Sequence, residues 1–129
     1  MRTWLGRTCP PAAKAAEPGE GTGRYAPGYS SSDARARGRF TRNFVVQGSA
    51  SDWALLMLAS LRQRIAELEA ELVFFQHDEV IVHCPADEAD RVAEAIRAAG
   101  DLAGRMTFGD TPVRYPFGVA AVECYADAK

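Results

Sequence analysis

Leu72-Val73-Phe74-Phe75-Gln76-His77-Asp78-Glu79-Val80-Ile81-Val82-His83-Cys84 is the stretch on which the fold reading turns. Two short apolar runs, rich in β-branched and aromatic residues, flank three polar ones, and this pattern predicts a β-hairpin. Pro85 has no backbone N–H to offer a ladder and stops the second strand. Upstream, Ala54, Leu58, Leu61, Ile65 and Leu68 recur at 4-3-4-3 spacing, one face of a long helix over roughly 41–70. Trp53, Leu55 and Met57 widen its apolar surface, so most of the helix is expected to be buried. Gly48 inside it costs about 1 kcal/mol relative to Ala. Either something approaches the helix backbone there, or the glycine is simply tolerated. Downstream, residues 86–99 predict a second helix with early acids suited to its dipole and Gly100 as C-cap. A last strand is expected near 119–124. The order helix, hairpin, helix, strand makes an α+β domain with an antiparallel sheet. Trp53 and the Phe74-Phe75 pair are expected in the core, and His83 and Cys84 read as structural.

The chain has 129 residues and 14.0 kDa, enough for one compact domain with or without a loose arm. Hydrophobic residues at 47% and charged residues at 25% exclude a collagen-like or fully disordered protein. No apolar run is read as approaching the roughly 18–20 residues of a bilayer span, and residues 1–7 lack the apolar core of a signal peptide. A cytoplasmic protein without a membrane partner is the expectation. Cys9, Cys84 and Cys124 show no CxxC or zinc-finger spacing, so reduced thiols are expected. The net charge of −2 hides an asymmetry: residues 1–42 hold eight Lys/Arg against three acids, and residues 43–129 hold seven against fourteen. A basic arm on an acidic body points to a polyanion partner, or to a solvated tail. Residues 10–34, rich in Pro, Gly, Ser and Ala, read as a flexible loop.

His77-Asp78-Glu79 puts carboxylates at the rim of a small sheet. By spacing alone this is an ordinary polar hairpin turn. Its Asp78 would also suit magnesium, a hard cation bound by one or two carboxylates plus substrate phosphates. Neighbouring strand residues point to opposite faces, so Glu79 would not naturally chelate the ion held by Asp78. A two-metal site would need a further carboxylate from elsewhere. Arg39, Asn43 and Gln47 lie at i, i+4 and i+8, one polar stripe near the start of the long helix. Donors of these types suit the minor groove, where every base pair presents an acceptor. Arg35, Arg37 and Arg42 would add phosphate contacts. The plain alternative is a solvated helix face. No Walker loop, GxGxxG, HExxH or nucleophile elbow occurs.

Taken in order, Arg39-x-x-x-Asn43-x-x-x-Gln47-Gly48, the long helix, and the His77-Asp78-Glu79 hairpin between apolar strands resemble the C-terminal palm segment of family A DNA polymerases, the bacterial DNA polymerase I type. The resemblance covers roughly residues 35–129. Residues 2–8 also resemble the stretch before that family's variable loop, so the implied organisation is residues 1–9, a loop at 10–34, and a partial palm at 35–129. The resemblance implies template-directed nucleotidyl transfer with two magnesium ions. It makes Asp78 a metal ligand and catalytic residue, Glu79 its supporting neighbour, and His77 a residue near the primer's 3′ end. Arg39, Asn43 and Gln47 become contacts to the minor groove or the primer–template. Implied partners are primer–template DNA and deoxynucleotide triphosphates, and the implied location is the bacterial nucleoid.

The family's first-motif strand with the other metal-binding aspartate, and its fingers helix, are not in this sequence. The resemblance therefore implies a fragment, inactive unless the missing polymerase segments complement it, with Met1 inside what is usually a longer protein. It also implies an exposed sheet edge where the missing strand would pair. Two other readings stay open: a non-catalytic DNA-binding module, and a structural protein whose Leu58/Leu61/Ile65/Leu68 face pairs with a partner.

Overall fold

Helix formers explain where the first element begins. Ser31-Ser32-Asp33 are the residue types that open helices, and Ala34, Arg35, Ala36 and Arg37 carry small helix penalties. A computed structural model describes residues 1–10 and 31–128, and in it α1 runs Ser31–Arg64. The loop read at 10–34 falls for residues 11–30 outside the described residues, and residues 31–34 belong to α1 rather than to that loop. The helix starts ten residues before the expected 41 because apolar periodicity reports buried faces, and Ser31–Phe40 has no such face to report.

The chain divides into two compact units, Met1–Ala50 and Ser51–Lys129. In the first, residues 1–10 form a small loop closed by a bridge between Arg2 and Thr8. Thr3 N–H donates to the Arg7 carbonyl at 2.8 Å, Cys9 N–H to the Met1 carbonyl at 2.9 Å, and Arg7 N–H to Thr3 Oγ1 at 3.0 Å. The loop packs on α1. Thr3 is buried, and a Cβ added at Gly48 would lie 2.5 Å from its methyl group. The close approach expected at Gly48 is therefore made by Thr3.

In the second unit, β1 (Glu71–Gln76) pairs antiparallel with β2 (Glu79–His83). Leu72 faces Val82 and Phe74 faces Ile81, so Val73 is an extra residue, a β-bulge. Leu72, Val80 and Val82 pack against a core of Met57, Leu61 and Ile65 from α1 with Val92, Ala95, Ile96, Ala99 and Ala103 from α2 (Ala89–Phe108). Phe74 and Phe75 are each 38% exposed, which corrects the core expectation. A two-stranded sheet covers one face only, and the bulge puts Phe74 on the other. Trp53 does pack against the core.

α1 stops at Arg64, not near 70. Ile65 N–H still reaches the Leu61 carbonyl, but Leu68 N–H turns back to Ile65 at 3.0 Å in a tighter turn. Leu68 packs on the core from that turn, so the apolar spacing runs past the end of the helical ladder. α2 follows a short 3₁₀ turn at Ala86–Glu88 and continues beyond the expected end to Gly109, whose φ of 70° and N–H bond to the Arg105 carbonyl cap it. Gly100 is thus interior. Its role is contact: a Cβ there would lie 2.7 Å from the Phe117 ring.

The strand expected near 119–124 does not form; those residues have no ladder, and Tyr125–Asp127 is a 3₁₀ turn. The extended segment just before them lies on α2 instead. Tyr115, Phe117 and Val119 are half-buried and alternate with exposed neighbours. Tyr115 meets Gly104, and Phe117 meets Gly100 and stacks on Trp53 with ring centroids 5.6 Å apart. Period-two burial here reports a ribbon on a helix, and Pro116 could not have donated to a ladder.

The expectation of no long apolar run also needs correction. Ala34–Arg64 is long and apolar enough to cross a membrane by length and composition. Between Phe44 and Leu61 the single charged residue is Asp52. The same composition serves a core helix: Met57 and Leu61 are buried against α2.

Candidate functional site

Gln76 pairs with Glu79, so His77 and Asp78 alone make the hairpin turn. A two-residue turn that follows the right-handed strand twist needs a positive φ at its first central position, a place usually given to glycine. His77 takes it, with φ 57°, and is the one non-glycine residue with positive φ among the described residues. Histidine is among the side chains enriched in this region, yet a left-handed non-glycine residue still costs about 1–3 kcal/mol.

The turn lifts Asp78 clear of the sheet. Its carboxylate is exposed and makes no hydrogen bond or ion pair among the described residues, and the same holds for the His77 ring. Glu79 differs. Tyr125 Oη donates to Glu79 Oε2 at 2.9 Å, across 46 residues of sequence. That hydrogen bond, then the carboxylate's charge, and least of all desolvation, raise the Tyr125 phenol above its ordinary pKa of 10.0. Tyr125 is not among the residues that the sequence singles out, and no local pattern marks it.

Among the described residues no three His, Cys, Asp or Glu side chains come together as a metal cage. A lone exposed carboxylate still fits the way magnesium is held, by one or two carboxylates with waters and substrate phosphates. Asp78 meets that requirement as one ligand. His83 is exposed at the end of β2, and Cys84 is half-buried against the core. Two surface grooves, one lined by Arg64, Leu68 and Arg91 and one by Leu58, Ile65 and Leu72, do not include the turn.

In the first unit, Arg35, Arg39, Arg42, Asn43 and Gln47 are all exposed on α1, while Arg37, Thr41, Phe44, Val45 and Gly48 are partly buried on its other side. A spacing of four residues on a helix of 3.6 per turn keeps Arg39, Asn43 and Gln47 on one slowly winding stripe. Arg37 is set apart from the other arginines. Its guanidinium donates to the Pro10 carbonyl and lies 5.1 Å above the Phe40 ring, tying the N-terminal loop to the helix.

Comparison with known proteins places these features in a wider setting. Residues 12–115 match the family model for DNA polymerase family A. Over 102 residues the chain is 33% identical to the thermostable DNA polymerase I of Thermus thermophilus, covering 77% of this chain and 11% of that protein. It is 33% identical over 76 residues to the DNA polymerase I of Deinococcus radiodurans, covering 57% and 8% respectively. It is 31% identical over 75 residues to that of Aquifex aeolicus, covering 55% and 13%. The matched part is thus about a tenth of the length of these relatives. No solved structure gives a significant match.

Proposed function

The chain belongs to DNA polymerase family A, and from that premise we propose that its hairpin is the metal-binding rim of a polymerase palm. The observation that carries this reading is the free, exposed Asp78 carboxylate on a two-residue turn between His77 and Glu79. Asp78 would hold one magnesium ion, Glu79 would support the rim, and His77 would lie beside the primer's 3′ end. Bound there, magnesium would supply the charge neutralisation that phosphoryl transfer requires. Arg39, Asn43 and Gln47 would track the minor groove, with Arg35 and Arg42 on phosphates. Arg37 would serve the loop it anchors more than the duplex. Primer–template DNA and deoxynucleotide triphosphates are the proposed partners, and the bacterial nucleoid the proposed location.

A two-metal mechanism needs a second carboxylate beside Asp78, and the described residues group none there. We therefore expect no primer extension by these 129 residues alone. Mixing them with a family A polymerase that lacks the matched segment should restore extension, and Asp78→Ala should abolish it. Restored extension that survives Asp78→Ala would sink the assignment.

The exposed arginine stripe also favours a second reading, a non-catalytic duplex-binding module. Both readings expect salt-dependent binding to duplex, weakened by Arg39→Ala and Gln47→Ala. Removing one phosphate-binding arginine should lower the log–log salt slope by roughly 1. Binding altered by magnesium through Asp78 belongs to the first reading alone.

A further inference from the structure

We propose that Tyr125 is a positioning residue for the hairpin rim: its phenol engages the Glu79 carboxylate and leaves Asp78 as the free one of two adjacent acids. The use made of the free acid rests on the reading of Asp78 as a metal ligand; the Tyr125–Glu79 bond itself does not.

The geometry follows from the strand and from the tail. Val80 and Val82 pack on the core, so Glu79, Ile81 and His83 alternate onto the outer face of β2. The tail is brought within reach of that face by its aromatic anchors. Tyr115 and Phe117 sit against Gly104 and Gly100, and Phe117 stacks on Trp53. Eight residues later Tyr125 opens a 3₁₀ turn, and its hydroxyl meets Glu79 at 2.9 Å. A hydrogen bond onto an ionised carboxylate is shorter and roughly twice as strong as a neutral one. Both groups face solvent, so the bond orients more than it stabilises. Glu79 is the one charged group acting on the phenol, raising its pKa both as acceptor and as charge.

The chemical consequence is a division of labour between neighbours. Two carboxylates on consecutive residues would otherwise compete for one hard cation in several arrangements. With one lone-pair direction of Glu79 occupied by a phenol proton, Asp78 is the carboxylate presented to the cation. Pairs of acids whose surroundings differ in this way commonly divide roles.

The experiment uses the full chain with ¹³C-labelled tyrosine, the Tyr125 resonance being identified by its disappearance in Tyr125→Phe. Tyr125 should titrate above an ordinary tyrosine, and Glu79→Gln should move its midpoint down. A midpoint unmoved by Glu79→Gln overturns the Tyr125–Glu79 bond. Magnesium chloride titrated against the hairpin amides then reads the positioning. Tyr125→Phe, by freeing Glu79, should tighten the magnesium response by about threefold or more, and should have no effect in a Glu79→Gln background. Equal affinity in wild type and Tyr125→Phe overturns the positioning role. A magnesium response that is absent, or that persists in Asp78→Ala, overturns the reading of Asp78 and with it the positioning role. The tyrosine titration still decides whether the bond exists.

Discussion

His77 holds a left-handed backbone that glycine would adopt without penalty, and it does so beside the one carboxylate proposed to bind metal. His77→Gly should stabilise the fold by about 1 kcal/mol, the strain relieved less the extra freedom glycine gains when unfolded. Urea denaturation would show it as a higher midpoint at unchanged slope. A drop in stability would mean that the imidazole makes an interaction worth more than the strain. At Tyr125 the relevant variable is pH. The phenol's pKa is higher folded than unfolded, so its contribution is complete below the unfolded value near 10 and disappears as pH rises through the folded one. Thermal melts of wild type and Tyr125→Phe should differ at about pH 8 and converge in strong alkali. The two residues are not equally legible in the sequence. His77-Asp78-Glu79 stands out because three polar residues interrupt two apolar runs. Tyr125 does not, because its partner is 46 positions away and nothing in the tail's composition points to a carboxylate.

Among the elements, the hairpin is the most readable and the tail the least. β-branched runs bounded by polar residues and a proline fix strand ends to within a residue or so. The tail has similar chemistry, yet Tyr115 and Phe117 face a helix surface pared down by Gly100 and Gly104. Alternation reveals a ribbon with one buried side and is silent about what buries it. Gly100 misleads for a related reason, since a glycine after a run of helix formers looks like a cap whether it frees the backbone or makes room for a ring. Gly100→Ala separates these roles. A cap position would lose little, and a mid-helix alanine would gain about 1 kcal/mol. Here the added methyl must displace a stacked ring, so a net destabilisation of about 1–2 kcal/mol is expected. A changed Trp53 emission should accompany it, measured in a Trp4→Phe background, because Phe117 stacks on that indole.

At the scale of the whole chain, family membership is readable from the order of motifs, while the division of work within it is not. Arg37 illustrates this, since its place on the helix equips it for phosphate and its partner, the Pro10 carbonyl, lies on a loop that no periodicity describes. The bulge at Val73 has a consequence for how this chain behaves in a test tube. β1 has a single neighbour among the described residues, and Val73, Phe74 and Phe75 lie open along it at 55%, 38% and 38% exposure. A flat strand of that composition would template stacking of one copy on the next. The extra residue breaks the repeat after Leu72, so a second copy can match only a few consecutive amides before falling out of step. Deleting Val73 would bring the remaining pairs into one continuous register. Its expected cost is solubility: light scattering that climbs with protein concentration, where the intact chain stays dispersed.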